Sequence, residues 1–373
     1  MDFSKSISFI SCLPLLFVIS CSTEDPPSNV IETTELSNFE TLVSLESETL
    51  ALPIIIKALN DQSFIVYDIG TNQVLKLDER GSIVDSIGRV GHGPGEFLFV
   101  NSIFIRDEKL YLIESPQMLA HQYSQNGELI SSFDFGKLVG RSVIAPRPYG
   151  GVVMSNEIDN RPFVTSQGDL LLSNLNVGVE SRYLFQLIDW ENTNQLSEIG
   201  EVPEGSSFIL DIREFRNEAL NGDVPSLYKA NSFPVQNHAN PDELFIVYSS
   251  ISRIAKYKTT GEKLWENDIQ SIEADTISTR FFELMGRMSP ENRTDLKYYS
   301  SGVSNDQGEL FLVVNIRPVV IHKFNNTGEL VHKYVFESKE VAPVLDFDFM
   351  NNRIIAATNN GEIRIYPFDY DKN

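Results

Sequence analysis

The sequence predicts an all-β fold, a six-bladed β-propeller, and three observations favour it. A segment recurs at least four times, in which two short apolar runs precede a glycine turn and a third run. When the copies are aligned on that glycine, two further positions are apolar in every copy. Two degenerate copies bring the number of units to six, and such repetition is typical of propellers and other repeat folds. The turn glycines are Gly81, Gly127, Gly261 and Gly328, and the aligned apolar positions are Phe64, Leu110, Leu244 and Phe311, then Leu77, Tyr123, Tyr257 and Phe324.

Each unit has the composition of a small antiparallel sheet. The apolar runs are separated by Asn, Asp, Ser, Thr and Gly, which are the residues of strand ends and turns. Glycine supplies the positive φ that a tight hairpin turn requires. The third unit is the most degenerate, and its strands are assigned to 143–156, 169–176, 183–190 and 195–200.

The two ends of the repeat predict how the ring closes. The last unit, 344–368, has three strands, whereas the segment 39–47 precedes the first unit without a sheet of its own. An N-terminal strand that completes the last blade as its outer strand would remove an exposed edge. Two segments, 209–222 and 276–299, break the strand pattern and predict short helical insertions. In the second, Phe281, Leu284, Met285 and Met288 recur at helical spacing.

The N-terminus has the pattern of an export signal. Lys5 precedes an apolar stretch that ends in Val-Ile-Ser-Cys at Cys21, and this stretch is shorter than the ~20 residues of a membrane-spanning helix. We therefore expect a signal peptide over 1–20, a lipid on Cys21 with a flexible tether over 21–38, and a single propeller over 39–373. An ordinary secretory signal cleaved nearby is the alternative. Loss of Cys12 with the signal would leave the mature body without a thiol or disulfide.

The charge excludes some partners. Asp and Glu number 52 against 30 Lys and Arg, which gives a net charge of −22 without any Lys/Arg cluster. Nucleic acid and anionic membrane surfaces do not attract such a protein. We expect an exported, outer-membrane lipoprotein on the periplasmic or cell-surface face, which contacts the membrane only through its lipid.

The densest local motif is the loop 88–97, Gly-Arg-Val-Gly-His-Gly-Pro-Gly-Glu-Phe. A nucleotide-binding interpretation requires a helix directly after the glycines, but a strand follows here. The loop leads from one blade to the next, so it crosses a propeller face, and Phe97 is expected to anchor it in the core. Arg89, His92 and Glu96 are candidates to line the channel mouth. The alternative is a structural loop in which Glu96 accepts backbone hydrogen bonds.

The motif 88–97, the lipobox at Cys21 and the six units together resemble the six-bladed β-propeller lipoproteins of Bacteroidota, a TolB-like, BF3164-like family. The acidic run 22–25 after the cysteine is similar to the export signal that sends lipoproteins of that phylum to the outer face. The resemblance covers most of the mature chain. It implies the fold and the compartment, and it implies no settled biochemical activity.

Three functional interpretations remain open. The first is a non-catalytic module that binds an unknown protein, small molecule or glycan across one face. The second is an enzyme of the propeller lactonase or lyase type, which would hold one divalent cation such as Ca²⁺ in the central channel, with Asn101, Asp346 and Asp348 as weak candidate ligands. The third is a structural subunit of a nutrient-uptake complex. No other cofactor is expected.

The remaining chemistry is sparse. The histidines show no metal-ligand spacing, and no Gly-x-Ser-x-Gly nucleophile elbow is present, so no catalytic residue is assigned. His322 and His332 fall near one hairpin on outer strands, where we expect them to be solvated.

Overall fold

Six antiparallel sheets are arranged as the blades of a propeller in the computed structural model, which confirms the predicted fold class. The model describes residues 31–44, 49–114, 117–139, 162–174, 181–208, 211–289, 294–336 and 344–368. The signal segment 1–20 and Cys21 lie outside these residues. Of the described helices, none has the length and apolar character needed to cross a bilayer.

The strands follow one another in chain order from the innermost to the outermost position of each blade. Two strands precede the first blade, β1 (Glu32–Leu36) and β2 (Glu40–Val43). The first blade is β3 (Pro53–Ala58), β4 (Phe64–Asp68), β5 (Gln73–Leu77) and β6 (Ile83–Ile87). A two-stranded parallel sheet follows, β7 (Arg89–Val90) and β8 (Glu96–Phe97). The second blade is β9 (Ser102–Arg106), β10 (Lys109–Glu114), β11 (Leu119–Ser124) and β12 (Leu129–Asp134).

The other four blades repeat this arrangement. The third is β13 (Phe163–Val164), β14 (Leu170–Ser173), β15 (Tyr183–Ile188) and β16 (Gln195–Glu201). The fourth is β17 (Ser232–Gln236), β18 (Glu243–Tyr248), β19 (Arg253–Lys258) and β20 (Lys263–Asp268). The fifth is β21 (Tyr299–Ser304), β22 (Leu310–Val314), β23 (Val320–Phe324) and β24 (Leu330–Phe336). The sixth is β25 (Val344–Phe349), β26 (Arg353–Thr358) and β27 (Ile363–Pro367).

Strand β2 closes the ring as predicted. It pairs antiparallel with β27 and supplies the fourth, outer strand of the sixth blade. Strand β1 was not predicted, because its residues fall in the segment interpreted as a tether. It pairs parallel with β24, with Glu32 opposite His332 and Leu36 opposite Phe336, so it adds a fifth strand to the fifth blade. The hydroxyl of Thr34 lies 2.9 Å from Nε2 of His332.

The third blade begins later in the chain than predicted. Its innermost strand is Phe163–Val164, whereas the sequence placed this strand in 143–156, which is outside the described residues. A tight turn makes Phe163–Val164 the partner of β14, because the chain passes from Val164 into β14 through Gly168, which has a φ of 85°. An antiparallel neighbour joined by such a turn needs no longer connection.

Helices occupy connections between blades. They are α1 (Gly136–Val139), α2 (Ile212–Leu220) and α3 (Ile272–Arg287). Asp211 accepts hydrogen bonds from the first turn of α2, and Ser271 does the same for α3, so side-chain caps set where both helices begin. Phe281 and Met285 of α3 are buried, as their spacing predicted. Leu284 is 37 % exposed and lies away from the core.

The core lies between the blades. The described residues form six apolar clusters, and each cluster joins side chains of two neighbouring blades. One cluster packs Ile56 and Val66 of the first blade against Ile355 and Ile365 of the sixth. The ring is thus held by its blade-to-blade contacts, and the strand that closes the sixth blade contributes Val43 to this last cluster.

Candidate functional site

The central channel contains a cavity of about 530 Å³. All six innermost strands line it, so every blade contributes to one site. The cavity extends to the turns that join the first and second strands of the blades, and we call this side of the propeller the turn face. Its volume falls in the range of ordinary small-ligand pockets.

Aromatic side chains form part of the cavity wall. Phe104, Phe163 and Phe233 line it from the second, third and fourth blades. The rings of Phe104 and Phe163 meet edge to face, with centroids 4.8 Å apart. The guanidinium carbon of Arg106 lies 5.6 Å from each of these two centroids, which is within cation–π range.

Arg106 is the positive group of this wall. Its Nη1 donates to the carbonyl of Ile105 at 2.7 Å and its Nε to the carbonyl of Val164 at 3.2 Å, which fixes the guanidinium plane. Among the described residues, no carboxylate lies within ion-pair distance of it. Burial lowers the pKa of Arg106 to about 10, and the field of Asp348 opposes this shift. The guanidinium therefore stays charged at neutral pH without a counter-ion in contact.

Lys57 and Asp346 form an ion pair in the same cavity. The ammonium of Lys57 lies 2.7 Å from Oδ2 of Asp346, which also accepts the Ile56 N–H at 3.1 Å. The other oxygen of Asp346 accepts the hydroxyl of Ser301 at 3.1 Å. Asp346 thus links the sixth blade to the first and the fifth, and its charge is neutralised within the protein.

Asp348 follows two residues later on β25, so it points to the same side of the strand as Asp346. One of its oxygens accepts the Ala58 N–H at 3.0 Å, and the other accepts the Phe349 N–H at 2.8 Å. Within the described ranges no cationic side chain pairs with it. Burial raises the pKa of Asp348, although the Lys57 ammonium and the two N–H groups favour the ionised form.

Other polar groups at the turn face connect blades. Oε1 of Gln236 accepts the Ser166 N–H at 2.8 Å, which joins the third and fourth blades. The Ser304 hydroxyl donates to the Gln236 carbonyl at 2.7 Å and accepts the His238 N–H at 2.8 Å, which joins the fourth and fifth. Because innermost strands of neighbouring blades do not share a sheet, these side chains supply the connections there.

The three weak metal candidates all line the cavity, but their geometry gives a metal-ion site no support. Asn101, Asp346 and Asp348 are among the lining residues. However, the Lys57 ammonium already contacts Oδ2 of Asp346. In the part of the chain that the structure describes, no group of three or more His, Cys, Asp or Glu is placed to hold a metal ion.

The loop 88–97 contributes no residue to the described lining of this cavity, so Arg89, His92 and Glu96 are not among the lining residues. Nε of Arg89 lies 2.5 Å from Oε1 of Glu96, and Oε2 accepts the Gly93 N–H at 2.7 Å. These two contacts, the backbone one first, lower the pKa of Glu96. The geometry thus matches the structural alternative for this loop.

The packing of the same loop explains its glycines. Phe97 is 1 % exposed and anchors the loop as expected, and the Tyr123 hydroxyl donates to the Gly95 carbonyl at 2.8 Å. Gly91 has a φ of 158°, and a Cβ there would collide with the carboxylate of Glu96. Glycine at this position leaves room for that carboxylate.

His322 and His332 are buried, at 0 % and 3 % exposure, so the expectation that they are solvated is wrong. Nε2 of His322 lies 3.2 Å from Glu273 at the start of α3, which also accepts Lys333 at 2.7 Å. Strand β1 covers His332 through Thr34. Sequence periodicity did not reveal these partners, because they are far apart in the chain.

Sequence reasoning also missed Lys57 and Arg106. Each is a cation near the end of an otherwise apolar innermost strand, Pro53–Ala58 and Ser102–Arg106. This pattern was a usable signal, since innermost strands of a propeller face the channel. A lone charge in such a strand indicates either an inter-blade ion pair, as at Lys57, or a charged group that lines the cavity, as at Arg106.

Comparisons with known proteins agree with the fold. A family model described as "6-bladed beta-propeller" (DUF5128) matches residues 32–143. No curated protein sequence matches the chain significantly. A Bacteroides fragilis protein assigned as exported is similar in structure, with a TM-score of 0.53 and 14 % identity over 90 % of this chain and 98 % of the other. A member of the DUF4221 family from Bacteroides vulgatus has a TM-score of 0.54 and 11 % identity over 86 % and 93 % of the two chains.

Proposed function

We propose that this protein is an exported lipoprotein, held at the outer membrane through Cys21, whose propeller binds a small ligand without catalysis. The ligand carries an anionic group and an apolar part, and it occupies the central channel. Arg106 carries this proposal, because it is a charged guanidinium in a cavity, oriented by two carbonyls and two rings, without a carboxylate partner among the described residues. Guanidinium groups bind carboxylates and phosphates with paired, charge-assisted hydrogen bonds.

The anchoring part of the proposal rests on the Val-Ile-Ser-Cys sequence ending at Cys21. Similarity to a Bacteroides fragilis protein assigned as exported accords with it. Metabolic labelling with a fatty-acid analogue tests it: the wild-type chain incorporates label and pellets with outer membranes. Cys21→Ala incorporates none. Labelling of Cys21→Ala at the wild-type level would refute lipidation at this residue.

The binding part is tested by calorimetry and thermal shift with four probes, namely phenylacetate, benzoate, acetate and inorganic phosphate. We expect the aromatic carboxylates to raise Tm, because a ligand that binds only the folded state stabilises it by mass action. Arg106→Gln should weaken their binding at least tenfold. Arg213→Gln removes a surface guanidinium on α2 and should leave binding unchanged.

Two results would refute this function. One is the absence of any Tm shift with all four probes, and the other is equal binding by Arg106→Gln and the wild type. Mass spectrometry of the bound probe after prolonged incubation completes the test. The non-catalytic function proposed here requires that the probe be recovered unchanged.

A further inference from the structure

Two of the charged side chains in the cavity form an ion pair, and two others make hydrogen bonds but have no ion-pair partner among the described residues. Lys57 and Asp346 neutralise each other at 2.7 Å. Arg106 and Asp348 have opposite charges and line the same cavity, yet neither has an ion-pair partner among the residues described. The other titratable lining residues, Asp107, Glu108 and His238, are exposed on turns at the rim.

The field of Asp348 reaches Arg106, although the two side chains are not in ion-pair contact. Charges removed from bulk water are costly unless they are paired. A purely anionic ligand would compensate Arg106 but would bring a second negative charge towards Asp348. A purely cationic ligand would do the reverse. A ligand that carries both charges compensates both residues.

We propose that the channel ligand is a zwitterion, an amino acid or short peptide with free ends, whose carboxylate binds Arg106 and whose ammonium binds Asp348. This inference rests on the proposed function and specifies the ligand class of the same site. Phe104, Phe163 and Phe233 would contact an apolar side chain of the ligand. The cavity of about 530 Å³ has room for a large amino acid or a dipeptide.

Asp348 is suited to bind an ammonium group. Its carboxylate is held in place by the N–H groups of Ala58 and Phe349, so it does not need to reorient when the ligand enters. Burial raises its pKa and so disfavours the ionised form. A bound ammonium would stabilise that form.

The test uses the full mature chain and an equimolar pool of dipeptides built from Ala, Leu, Phe and Tyr, with native mass spectrometry to identify those retained. Each retained dipeptide is then compared with its N-acetyl and C-terminal amide derivatives by calorimetry. We expect N-acetylation and C-terminal amidation each to weaken binding at least tenfold. These measurements need no variant, so the result does not depend on a mutant that folds.

Variants assign the two ends. Asp348→Asn should weaken binding of the free dipeptide at least tenfold. Binding of the N-acetyl derivative should not change, because that derivative has no ammonium group for Asp348 to bind. Arg106→Gln should weaken the free dipeptide and leave the amide unaffected. Asp223→Asn, at an exposed position, is the matched control and should bind as the wild type does. Thermal melting confirms that each variant is folded.

The outcomes separate this inference from the proposed function. If N-acetyl dipeptides or phenylacetate bind as tightly as free dipeptides and still require Arg106, the zwitterion inference is overturned and the anion-binding function stands. The same holds if carboxylates bind and no dipeptide is retained. If nothing binds in an Arg106-dependent way, both fail.

Discussion

Glu273 shows how one side chain attaches a helix to the propeller. It lies in the first turn of α3, where the helix dipole favours a negative charge, and it accepts hydrogen bonds from His322 and Lys333 of the fifth blade. Hydrogen bonds from His322 and Lys333 hold the pKa of Glu273 far below its usual 4.5. Burial lowers the pKa of His322, and the Glu273 carboxylate opposes this shift.

We expect Glu273→Gln to lower the free energy of unfolding by about 2 kcal/mol at pH 7, because it leaves the Lys333 ammonium without its carboxylate. The pKa of Glu273 is depressed in the folded state. Its contribution to stability is therefore present above pH 4.5 and is lost as the pH falls below that value. Urea unfolding at pH 7 and at pH 3.5 checks this: the two chains should differ less at the lower pH.

Glu283→Gln is the matched control, since Glu283 lies on the same helix with a side chain 58 % exposed. Its unfolding free energy should stay within about 0.5 kcal/mol of the wild type, as is usual for surface ion pairs. A loss for Glu283→Gln as large as that for Glu273→Gln would contradict the role assigned to Glu273.

At the scale of elements, the two N-terminal strands have different tasks. Strand β2 provides the outer strand that the sixth blade would otherwise lack, and its Val43 is 2 % exposed. Strand β1 lies on a blade that already has four strands, and only Leu36 of its five residues is buried. Closure of the ring therefore depends on β2 more than on β1.

Two truncations test this difference. A chain beginning at residue 38 lacks β1, and we expect a loss of about 1–2 kcal/mol, the burial of roughly one large aliphatic side chain. A chain beginning at residue 45 also lacks β2, which exposes the edge of β27. We expect it to melt at a much lower temperature and to self-associate in size-exclusion chromatography. Equal melting temperatures for the two truncations would show that β2 does not close the ring.

At the scale of the whole molecule, stability is shared around the ring. Among the described residues, each of the six apolar clusters joins two blades, and none lies within a single blade. Units that contact only their neighbours and close on themselves lose two interfaces when one of them opens. A propeller built in this way should unfold as one unit.

Ile56→Ala and Ile246→Ala test cooperative unfolding in the first and fourth blades, and both side chains are 0 % exposed. Each substitution should lower the free energy of unfolding by about 3 kcal/mol, as is typical for a large-to-small change in a core. Circular dichroism and tyrosine fluorescence should follow a single, coincident transition in both variants. Two separated transitions in either variant would show that the blades unfold independently.

The parts of the fold that were predictable carry their signal locally. Gly81 and its equivalents mark hairpin turns, and the missing fourth strand of the last unit indicated closure by the N-terminal strand. Strand β1 was not predictable, because Glu32–Leu36 contains one apolar residue and its pairing is provided by β24. The inner strand of the third blade is only two residues long, which is too short for any periodicity.

The site was less predictable than the fold. Asp346 and Asp348 were identified as channel residues, but their partners Lys57 and Ala58 lie almost the whole chain away and meet them only when the ring closes. The motif 88–97 attracted attention because its glycines are dense. Those glycines serve local packing around Glu96 and Tyr123. The dense glycines of this loop therefore reflect its backbone geometry. The functional candidate is Arg106, a single arginine in an apolar strand.

The parallel pairing of β1 with β24 has a mechanical consequence for a chain tethered upstream of Glu32. Tension on such a tether would enter the protein at β1 and be resisted by the fifth blade, whereas the strand that locks the ring is fastened to β27 of the sixth. The load would reach β2 only after β1 had been torn from its neighbour. Strand β1 would thus protect the closure of the ring from a pulling force applied to the segment that precedes it.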